Sequence, residues 1–201
     1  AVGFQILQIM ERADVTFCSA KALMEEMRIH KDEEELECLR KSSAIVDQVF
    51  ERVLGKIRPG VTERELQDFL LEEMSRLGGQ SPECIVGVGS NSSYPHYCGN
   101  GGMVGERDVV LMDYGCTYHG LYSDTTRTVF VGEPTSRQRE AYELVRRANQ
   151  EAELLAVEGA WIPDIDRKAR EVLDEKGYAH TLINRLGHGI GYTIHEAPDI
   201  K

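Results

Sequence analysis

The first amphipathic segment of the chain covers residues 31–59. Its apolar residues recur at intervals of three and four, which is the spacing of one face of an α-helix. Asp32 and the acidic residues after it suit the positive end of a helix dipole, and Pro59 with Gly60 stops the helix. The pattern predicts one long helix whose apolar face comprises Leu36, Leu39, Ile45, Val46, Val49, Phe50, Val53, Leu54 and Ile57.

A second helix is predicted directly after this stop. Thr62 and Glu65 have the spacing of a capping box, in which each side chain bonds the backbone N–H of the other residue. Gly78 and Gly79 mark the end of the helix. Its inward face comprises Leu66, Phe69, Leu70 and Met74.

Apolar runs typical of β-strands follow the two helices. Residues 84–88 and 109–112 form short runs, and residues 121–131 form a longer one. The dipeptide His119-Gly120 separates the last two runs and favours a tight turn. These two runs are therefore predicted to pair as a β-hairpin.

Helical spacing returns after Gly132. Thr135 and Gln138 have the spacing of another capping box, and the helix is predicted to end near Gly159. Residues 163–176 fit a further helix that has Pro163 in its first turn and Gly177 past its end. The apolar face of the first of these two helices comprises Ala141, Leu144, Val145, Ala148, Ala152 and Leu155.

The order helix, helix, strands occurs twice along the chain. Gly60 and Gly78 lie 18 residues apart, as do Gly159 and Gly177. Each pair brackets a helix that follows a long amphipathic one. The offset between the two copies, 159 minus 60, is 99 residues.

The same offset carries His96 onto His195. It also carries two apolar positions of one helix onto apolar positions of the other, Leu66 onto Ile165 and Leu70 onto Ala169. We interpret this as an internal duplication, in which two halves pack about a pseudo-twofold axis and present both histidines to a shared cleft. The alternative is that two amphipathic helices ending in glycine merely look alike.

Composition narrows the class of protein. The 201 residues are 41% hydrophobic and 28% charged, which suits a globule with a buried core. The formal net charge of -11 opposes binding to phosphate backbones and anionic membranes, so neither nucleic acid nor a membrane is an expected partner. The five cysteines contain no C-x-x-C pair and favour a reducing cytoplasm over a disulfide framework. No apolar run reaches the roughly 18 residues of a membrane-spanning helix.

Two aspartates are predicted to face each other across the hairpin. Asp113 ends the run VVLMD, and Asp124 lies within LYSDTTRTVFV, each at a position on a core-like face. The nearby cation, Arg127, should point to the opposite face. A divalent metal is then the simplest compensation for two inward carboxylates. The alternative, that both aspartates only cap turns, stays open.

The segment LGHGIGYTIHEAP is a second candidate for chemistry. It concentrates His188, His195 and Glu196 among glycines, which let a ligand or another backbone approach closely. A single histidine is more often a hydrogen-bonded core residue than a ligand. Two histidines here, together with the aspartate pair and with His96 after Pro95, favour a site. Oxygen-rich ligation with one imidazole suits Mn²⁺, Co²⁺ or Zn²⁺.

Four motifs together resemble the metallopeptidases of the pita-bread fold, the group that contains Xaa-Pro dipeptidase (prolidase), aminopeptidase P and methionine aminopeptidase. The motifs are SYPHY, VVLMDYG, GLYSDTTRTVFVG and GHGIGYTIHEAP. The resemblance extends from about Met27 to the C-terminus, and the lead-in MRIHKDEEELECLRKSS, the triplet PHY and the string SDTTRT are similar to the proline-directed members. It implies an α+β fold, with helices packed on a curved, mostly antiparallel sheet. It also implies that residues 1–26 are the tail of an N-terminal domain and that residues 27–201 are a truncated catalytic domain.

The resemblance implies a role for each candidate site residue. Asp113 corresponds to a ligand of one metal ion, Asp124 to the ligand that bridges two ions, and His188 to the one imidazole ligand. His96 and His195 correspond to catalytic, substrate-contacting histidines that support the tetrahedral intermediate. The implied reaction is hydrolysis of an Xaa-Pro peptide bond by a hydroxide that bridges two divalent ions, Mn²⁺ first and Co²⁺ or Zn²⁺ as alternatives. The implied assembly is a cytoplasmic homodimer.

Two features depart from the family pattern. The family completes its site with two glutamate ligands downstream of the HEAP segment, whereas this chain stops at Lys201, so the fragment itself is expected to be inactive. Asn184 stands where aminopeptidase P-like members often carry another histidine. Two alternatives stay open: an aminopeptidase P that acts on longer peptides, and a non-catalytic pita-bread module that only binds peptides or proteins.

Overall fold

The described part of the molecule begins with an exposed helix. The computed structural model describes Ile6, Ile9, Met10 and residues 18–201. The prediction that residues 1–26 belong to a separate N-terminal domain falls largely outside these residues and stays a prediction. Helix α1 (Lys21–Ile29) buries none of its residues, and the sequence pattern did not predict it.

The next two helices each begin at a capping box, of which the sequence predicted the second. At the first of them, Asp32 accepts a hydrogen bond from the backbone N–H of Glu35 at 2.9 Å, and the Glu35 side chain accepts one from the N–H of Asp32. Thr62 and Glu65 form the equivalent pair of bonds, as predicted. Each box satisfies backbone donors that have no partner within the helix. These helices are α2 (Glu33–Leu54) and α3 (Glu63–Arg76).

The prediction of one helix over residues 31–59 was too long at its end. Helix α2 stops at Leu54, and the backbone N–H of Gly55 turns to the carbonyls of Arg52 and Val53. Glycine favours this stop because its backbone loses more conformational freedom in a helix than that of any other residue. The short segment 55–62 then leads directly into α3.

A four-stranded antiparallel sheet packs against α2 and α3. Its central strand pairs with a strand on one side and with both segments of the returning ribbon on the other. Between this sheet and the helices lies a core that includes Val49, Leu70, Val86 and Met112, each fully buried. The strands are β1 (Gln80–Val88), β2 (Val109–Tyr118), β3 (Leu121–Tyr122) and β4 (Thr125–Phe130).

The predicted hairpin forms, but its second strand is interrupted. His119 and Gly120 both have positive φ, 50° and 84°, as a tight hairpin turn requires. The prediction of one strand over residues 121–131 was wrong, because Ser123 and Asp124 separate β3 from β4. The register nevertheless continues through the interruption, since both flanking pairs keep the same alignment. Gly115 is required opposite this point, because a Cβ there would collide with the carbonyl oxygen of Ser123.

The second half of the chain, residues 132–200, contains a helix pair and a short ribbon. Thr135 and Gln138 form the predicted capping box. Strands β5 and β6 pair antiparallel and carry the two ends of the glycine-rich segment. The elements are α4 (Ser136–Glu153), α5 (Ile162–Asp174), β5 (Gly187–Gly189) and β6 (Glu196–Ile200).

Two details of α4 were predicted wrongly. The helix ends at Glu153 rather than near Gly159, because the chain turns there through backbone bonds that span two or three residues. Val145 and Leu155 were assigned to the inward face, yet 58% of Val145 and 38% of Leu155 are exposed to solvent. The inward face of α4 is narrower than its sequence pattern and consists of Leu144, Ala148 and Ala152.

The offset of 99 residues relates the first half, residues 33–131, to the second. It places Glu63, the first residue of α3, on Ile162, the first residue of α5. It also places Leu54, the last residue of α2, on Glu153, the last residue of α4. Gly78 and Gly177 occupy equivalent positions with φ values of 93° and 73°. These coincidences support the interpretation as a duplication.

Within residues 18–201 and the three described residues before them, no helix combines the length and apolar character needed to cross a bilayer.

Candidate functional site

The site residues predicted from sequence come together on one cavity of about 850 Å³. They reach it from five separate places. Asp113 lies on β2, Asp124 between β3 and β4, and His188 on β5. His96 lies on the loop between β1 and β2, and His195 directly precedes β6.

The two aspartates lie on the same face of the ribbon. Asp113 pairs with Thr126 across β2 and β4, and the Thr126 hydroxyl donates to Asp113 Oδ1 at 2.8 Å. Asp124 precedes Thr126 by two positions, so the alternation of the strand gives both the same side. The bond from Thr126 fixes the orientation of the Asp113 carboxylate.

His188 presents one ring nitrogen to the aspartates. Its Nδ1 lies 2.9 Å from the carbonyl oxygen of Gly189, and because a carbonyl only accepts, Nδ1 carries the proton in that hydrogen bond. Its Nε2 lies 3.4 Å from Asp124 Oδ2. The Nε2 atom of His188 and the carboxylate of Asp124 therefore face each other at the cavity.

The pKa of Asp124 is raised above its usual value. Burial is the largest cause, and the negative charge of Asp113 is the second. His188 and His195 oppose the increase but do not cancel it. The charged form of Asp124 is thus under-compensated by the protein itself.

Arg127 does not supply the missing positive charge. Its guanidinium lies over the ring of Phe50, 5.6 Å from the centroid, and within 3.7 Å of Asp47 Oδ1. This contact with α2 confirms the prediction that Arg127 points away from the aspartates.

His195 packs edge-to-face against His188, with ring centroids 4.3 Å apart. Its pKa is lowered, first by burial and then by the neighbouring charges of His188 and Arg185. A lowered pKa keeps the imidazole of His195 neutral at neutral pH, and a neutral imidazole both donates and accepts a hydrogen bond.

Over the described residues, no group of three or more His, Cys, Asp or Glu side chains stands in metal-binding geometry. The donor set still fits a divalent cation by its chemistry. Two carboxylates, one of them with a raised pKa, and the ring nitrogen of His188 that does not contact Gly189 face the same cavity. Hard and borderline divalent ions prefer these donors.

Glu196, which the sequence grouped with the two histidines, has a structural contact instead. Its carboxylate forms a part-buried ion pair with Lys31 at 3.2 Å and accepts from the backbone N–H of Thr193 at 3.0 Å. The pair connects the start of α2 to the segment that carries His195.

Sequence reasoning missed two residues that shape the site. Arg185 lines the cavity and pairs with Asp199 at 3.3 Å. Glu63, the first residue of α3, is fully buried beneath the loop that carries His96. The acidic residue in the first helical turn was visible in the sequence, but its burial was not.

Comparison with known proteins gives consistent matches. The profile of metallopeptidase family M24 matches residues 37–201. The Xaa-Pro dipeptidase of Lactobacillus helveticus is 37% identical over 182 residues, which cover 89% of this chain and 50% of that protein. The chain spans about half the length of the curated relatives it matches.

Solved structures of similar proteins have the same fold. The prolidase from Pyrococcus horikoshii OT3 superposes with a TM-score of 0.93 at 31% identity, covering 100% of this chain and 58% of that one. The X-Pro aminopeptidase from Thermotoga maritima MSB8 superposes with a TM-score of 0.86 at 34% identity, covering 93% of this chain and 54% of that one. The predicted α+β fold of the pita-bread type is therefore confirmed.

Proposed function

The chain belongs to metallopeptidase family M24, and from this premise we propose that it forms part of the catalytic domain of an enzyme that hydrolyses Xaa-Pro dipeptides. Similar proteins from Lactobacillus helveticus and Pyrococcus furiosus are Xaa-Pro dipeptidases, at 37% and 35% identity. Residues 27–201 would belong to this domain, and residues 1–26 would connect it to another.

One observation carries the proposal. Side chains that are distant along the polypeptide, two aspartates and three histidines, line the same cavity. A binding module has no need for carboxylates whose charge the protein leaves under-compensated. A metallopeptidase needs them, because a divalent ion supplies the compensation.

Asp113, Asp124 and His188 would hold the divalent metal. Mn²⁺ is the first candidate, and Co²⁺ and Zn²⁺ have compatible ligand preferences. When bound, such ions polarise a peptide carbonyl and lower the pKa of water.

The chain's own residues prepare and hold this site. Thr126 fixes the carboxylate of Asp113, and the carbonyl of Gly189 fixes the ring of His188, as outer partners of metal ligands usually do. His195, neutral at neutral pH, would donate a hydrogen bond to the carbonyl oxygen of the substrate as negative charge develops there. His96, on the opposite loop, would orient the peptide.

Aminopeptidase activity on longer peptides is the second candidate. The similarity to the Thermotoga maritima X-Pro aminopeptidase favours it. The two activities differ in the group on the C-terminal side of proline, which is a free carboxylate in a dipeptide and a further residue in a longer peptide.

Calorimetric titration of Mn²⁺ into this chain tests the metal site without requiring turnover. Asp124→Ala and His188→Ala are each expected to weaken binding about tenfold or more, since each removes a donor atom and even outer partners are worth that much. Glu133→Ala and His180→Ala are the matched controls, because they remove an exposed carboxylate and an exposed imidazole outside the cavity. They should bind Mn²⁺ as the unchanged chain does.

Failure of a longer chain, which also contains the two glutamates expected downstream of the HEAP segment, to bind Mn²⁺, Co²⁺ or Zn²⁺ would favour the non-catalytic binding module. Hydrolysis of Gly-Pro by that longer chain, measured beside its hydrolysis of Gly-Pro-Ala, separates the two peptidase candidates. An Xaa-Pro dipeptidase is expected to release glycine faster from the dipeptide than from the tripeptide. Cleavage of only the tripeptide would establish the aminopeptidase activity. The homodimer and the cytoplasmic location stay predictions.

A further inference from the structure

Glu63 is a charged residue in an unusual position. Its side chain is 0% exposed, although it is the first residue of α3. Asp166, another buried acid of the described chain, forms an ion pair with Arg170 at 2.6 Å. Glu63 is compensated differently, by neutral hydrogen-bond donors.

Four donors converge on the carboxylate of Glu63. Oε1 accepts from the backbone N–H of Val88 at 2.9 Å and from Asn91 Nδ2 at 2.8 Å. Oε2 accepts from the hydroxyl of Tyr97 at 2.9 Å and from the backbone N–H of Gly102 at 2.7 Å. An ionised carboxylate can be buried only when such bonds replace its hydration.

The net effect of these bonds is a lowered pKa for Glu63. Burial alone raises the pKa and is the largest single influence. The hydrogen bonds from Asn91, Val88, Gly102 and Tyr97 act together against it and outweigh it. Glu63 therefore stays ionised at neutral pH and keeps all its acceptor positions available.

All four donors belong to one stretch of chain, residues 88–102. Asn91 and Tyr97 lie on either side of His96, and Tyr97 is its immediate neighbour in sequence. Gly102 marks the far end, where a Cβ would come within 2.5 Å of a Glu63 oxygen. A single buried carboxylate thus connects the beginning, the middle and the end of the loop that brings His96 to the cavity.

The second half lacks this arrangement. The position equivalent to Glu63 at the offset of 99 is Ile162. The segment that carries His195 is held instead by the Lys31–Glu196 ion pair and by the backbone bond from Tyr122 N–H to the carbonyl of Gly191. The Glu63 contact is therefore not a general requirement for starting such a helix.

We propose that Glu63 is a positioning residue, whose buried carboxylate orders the 88–102 loop and so holds His96 in place at the cavity. This inference rests on the proposed function in one respect, the role of His96 in orienting the peptide. The ordering of the loop by Glu63 can be tested independently of turnover.

The experiment compares this chain with its Glu63→Gln variant by two measurements. Hydrogen exchange of the backbone amides of residues 88–102 is expected to accelerate about tenfold or more in the variant. The reason is that a side-chain carboxamide accepts hydrogen bonds only at its oxygen, whereas the carboxylate accepts them at both oxygens. The imidazole signal of His96 in a ¹H–¹³C correlation spectrum, assigned with His96→Ala, is expected to change from one sharp peak to a broadened or multiple one. A residue with a merely structural role would not affect this signal.

Glu73→Gln is the matched control. Glu73 lies on the same helix and accepts from Arg52 and Arg76 at 2.7 Å, away from the loop. The control is expected to leave both loop exchange and the His96 signal unchanged. A folded Glu63→Gln chain with a sharp His96 peak and unchanged loop exchange would overturn the proposal, and so would a rise in exchange spread evenly over α3 and β1.

Tyr97→Phe keeps the test decisive if Glu63→Gln does not fold. This change removes one donor from the loop and leaves the carboxylate with three partners. Broadening of the His96 signal in Tyr97→Phe supports the proposal, and an unchanged signal contradicts it. Gly-Pro hydrolysis is measured separately, in the longer chain that contains the two downstream glutamates, so its absence there would count against the proposed function and not against the loop contact.

Discussion

The two halves of the chain bury their helix pairs in equivalent ways but cover them differently. At the offset of 99 residues, apolar positions of α2 and α3 correspond to apolar positions of α4 and α5, and both members of each pair are buried. The pairs are Ile45/Leu144, Val49/Ala148, Val53/Ala152, Leu66/Ile165, Leu70/Ala169 and Met74/Leu173. The equivalence fails at Val46 and Val145, which are 1% and 58% exposed.

The difference at Val46 comes from the sheet. In the first half, β2 lies across α2, and the hydroxyl of Tyr114 donates to the carbonyl of Val46 at 3.2 Å. In the second half, α4 packs chiefly on α5, and the strands of that half form a two-stranded ribbon. A helix pair therefore buries its shared seam by itself, whereas the neighbouring apolar stripe is buried only where a sheet covers it.

The sharpest way to test this comparison is to place the same charge at both positions. Val46→Asp is expected to lower the free energy of unfolding by about 4 kcal/mol, because it buries an unpaired carboxylate. Val145→Asp should change it by less than about 0.5 kcal/mol, as exposed substitutions do. Urea denaturation followed by circular dichroism measures both.

Val46→Ala and Val145→Ala repeat the comparison without a charge, in case Val46→Asp does not fold. The order of the two effects should be the same, since a cavity forms only at the covered position. Equal losses at both positions would mean that the face of α4 is covered in solution.

Substitution of the glycines that end α3 and α5 is expected to lower the free energy of unfolding by less than Val46→Asp does, and by the same amount at both positions. Gly78→Ala and Gly177→Ala should each cost about 1 kcal/mol, because alanine is strained at positive φ. Nothing lies within 4 Å of a Cβ at either position, so no collision adds to the strain. Thermal unfolding of both variants would show unequal shifts if the two turns were not equivalent.

Changes in stability of equal or smaller size are expected at the residues that begin the same two helices. Thr62 caps α3 through its side chain, whereas its equivalent, Trp161, makes no capping bond to α5. Thr62→Ala is expected to cost about 1 kcal/mol, and Trp161→Ser to add about 0.5 kcal/mol. Chemical denaturation shows whether each variant has a lower or a higher free energy of unfolding than the unchanged chain. Loss of stability in Trp161→Ser would show that packing of the indole outweighs a cap.

Local signals predicted where α2 to α5 begin and where the hairpin turns. The capping residues Asp32, Thr62 and Thr135 interact with backbone groups three positions away, so the sequence contains all that their bonds require. The hairpin turn at His119 and Gly120 is equally local. The gap between β3 and β4 falls at Ser123 and Asp124, and the strand prediction missed it because β-forming residues flank it on both sides.

The sequence predicted the residues of the candidate site but not the residues that hold them in position. Asp113, Asp124 and the histidines stand out by residue type and by their motifs, whereas the ordering contacts come from residues of ordinary appearance. Glu63 looks like any acidic residue in a first helical turn, and Lys31 looks like a surface lysine. Their burial depends on segments that approach from far away in the sequence.

The sequence by itself determined where the capped helices begin, which positions suit burial, and the offset that relates the two halves, because hydrophobic spacing and capping act over a few residues. Only the tertiary structure decided which apolar helix faces are covered and which acidic side chains are buried away from water. It also brought His96, Asp124 and His188 onto one cavity. The physical reason is that burial and the electric field at a site are set by neighbours in space, which no local pattern contains.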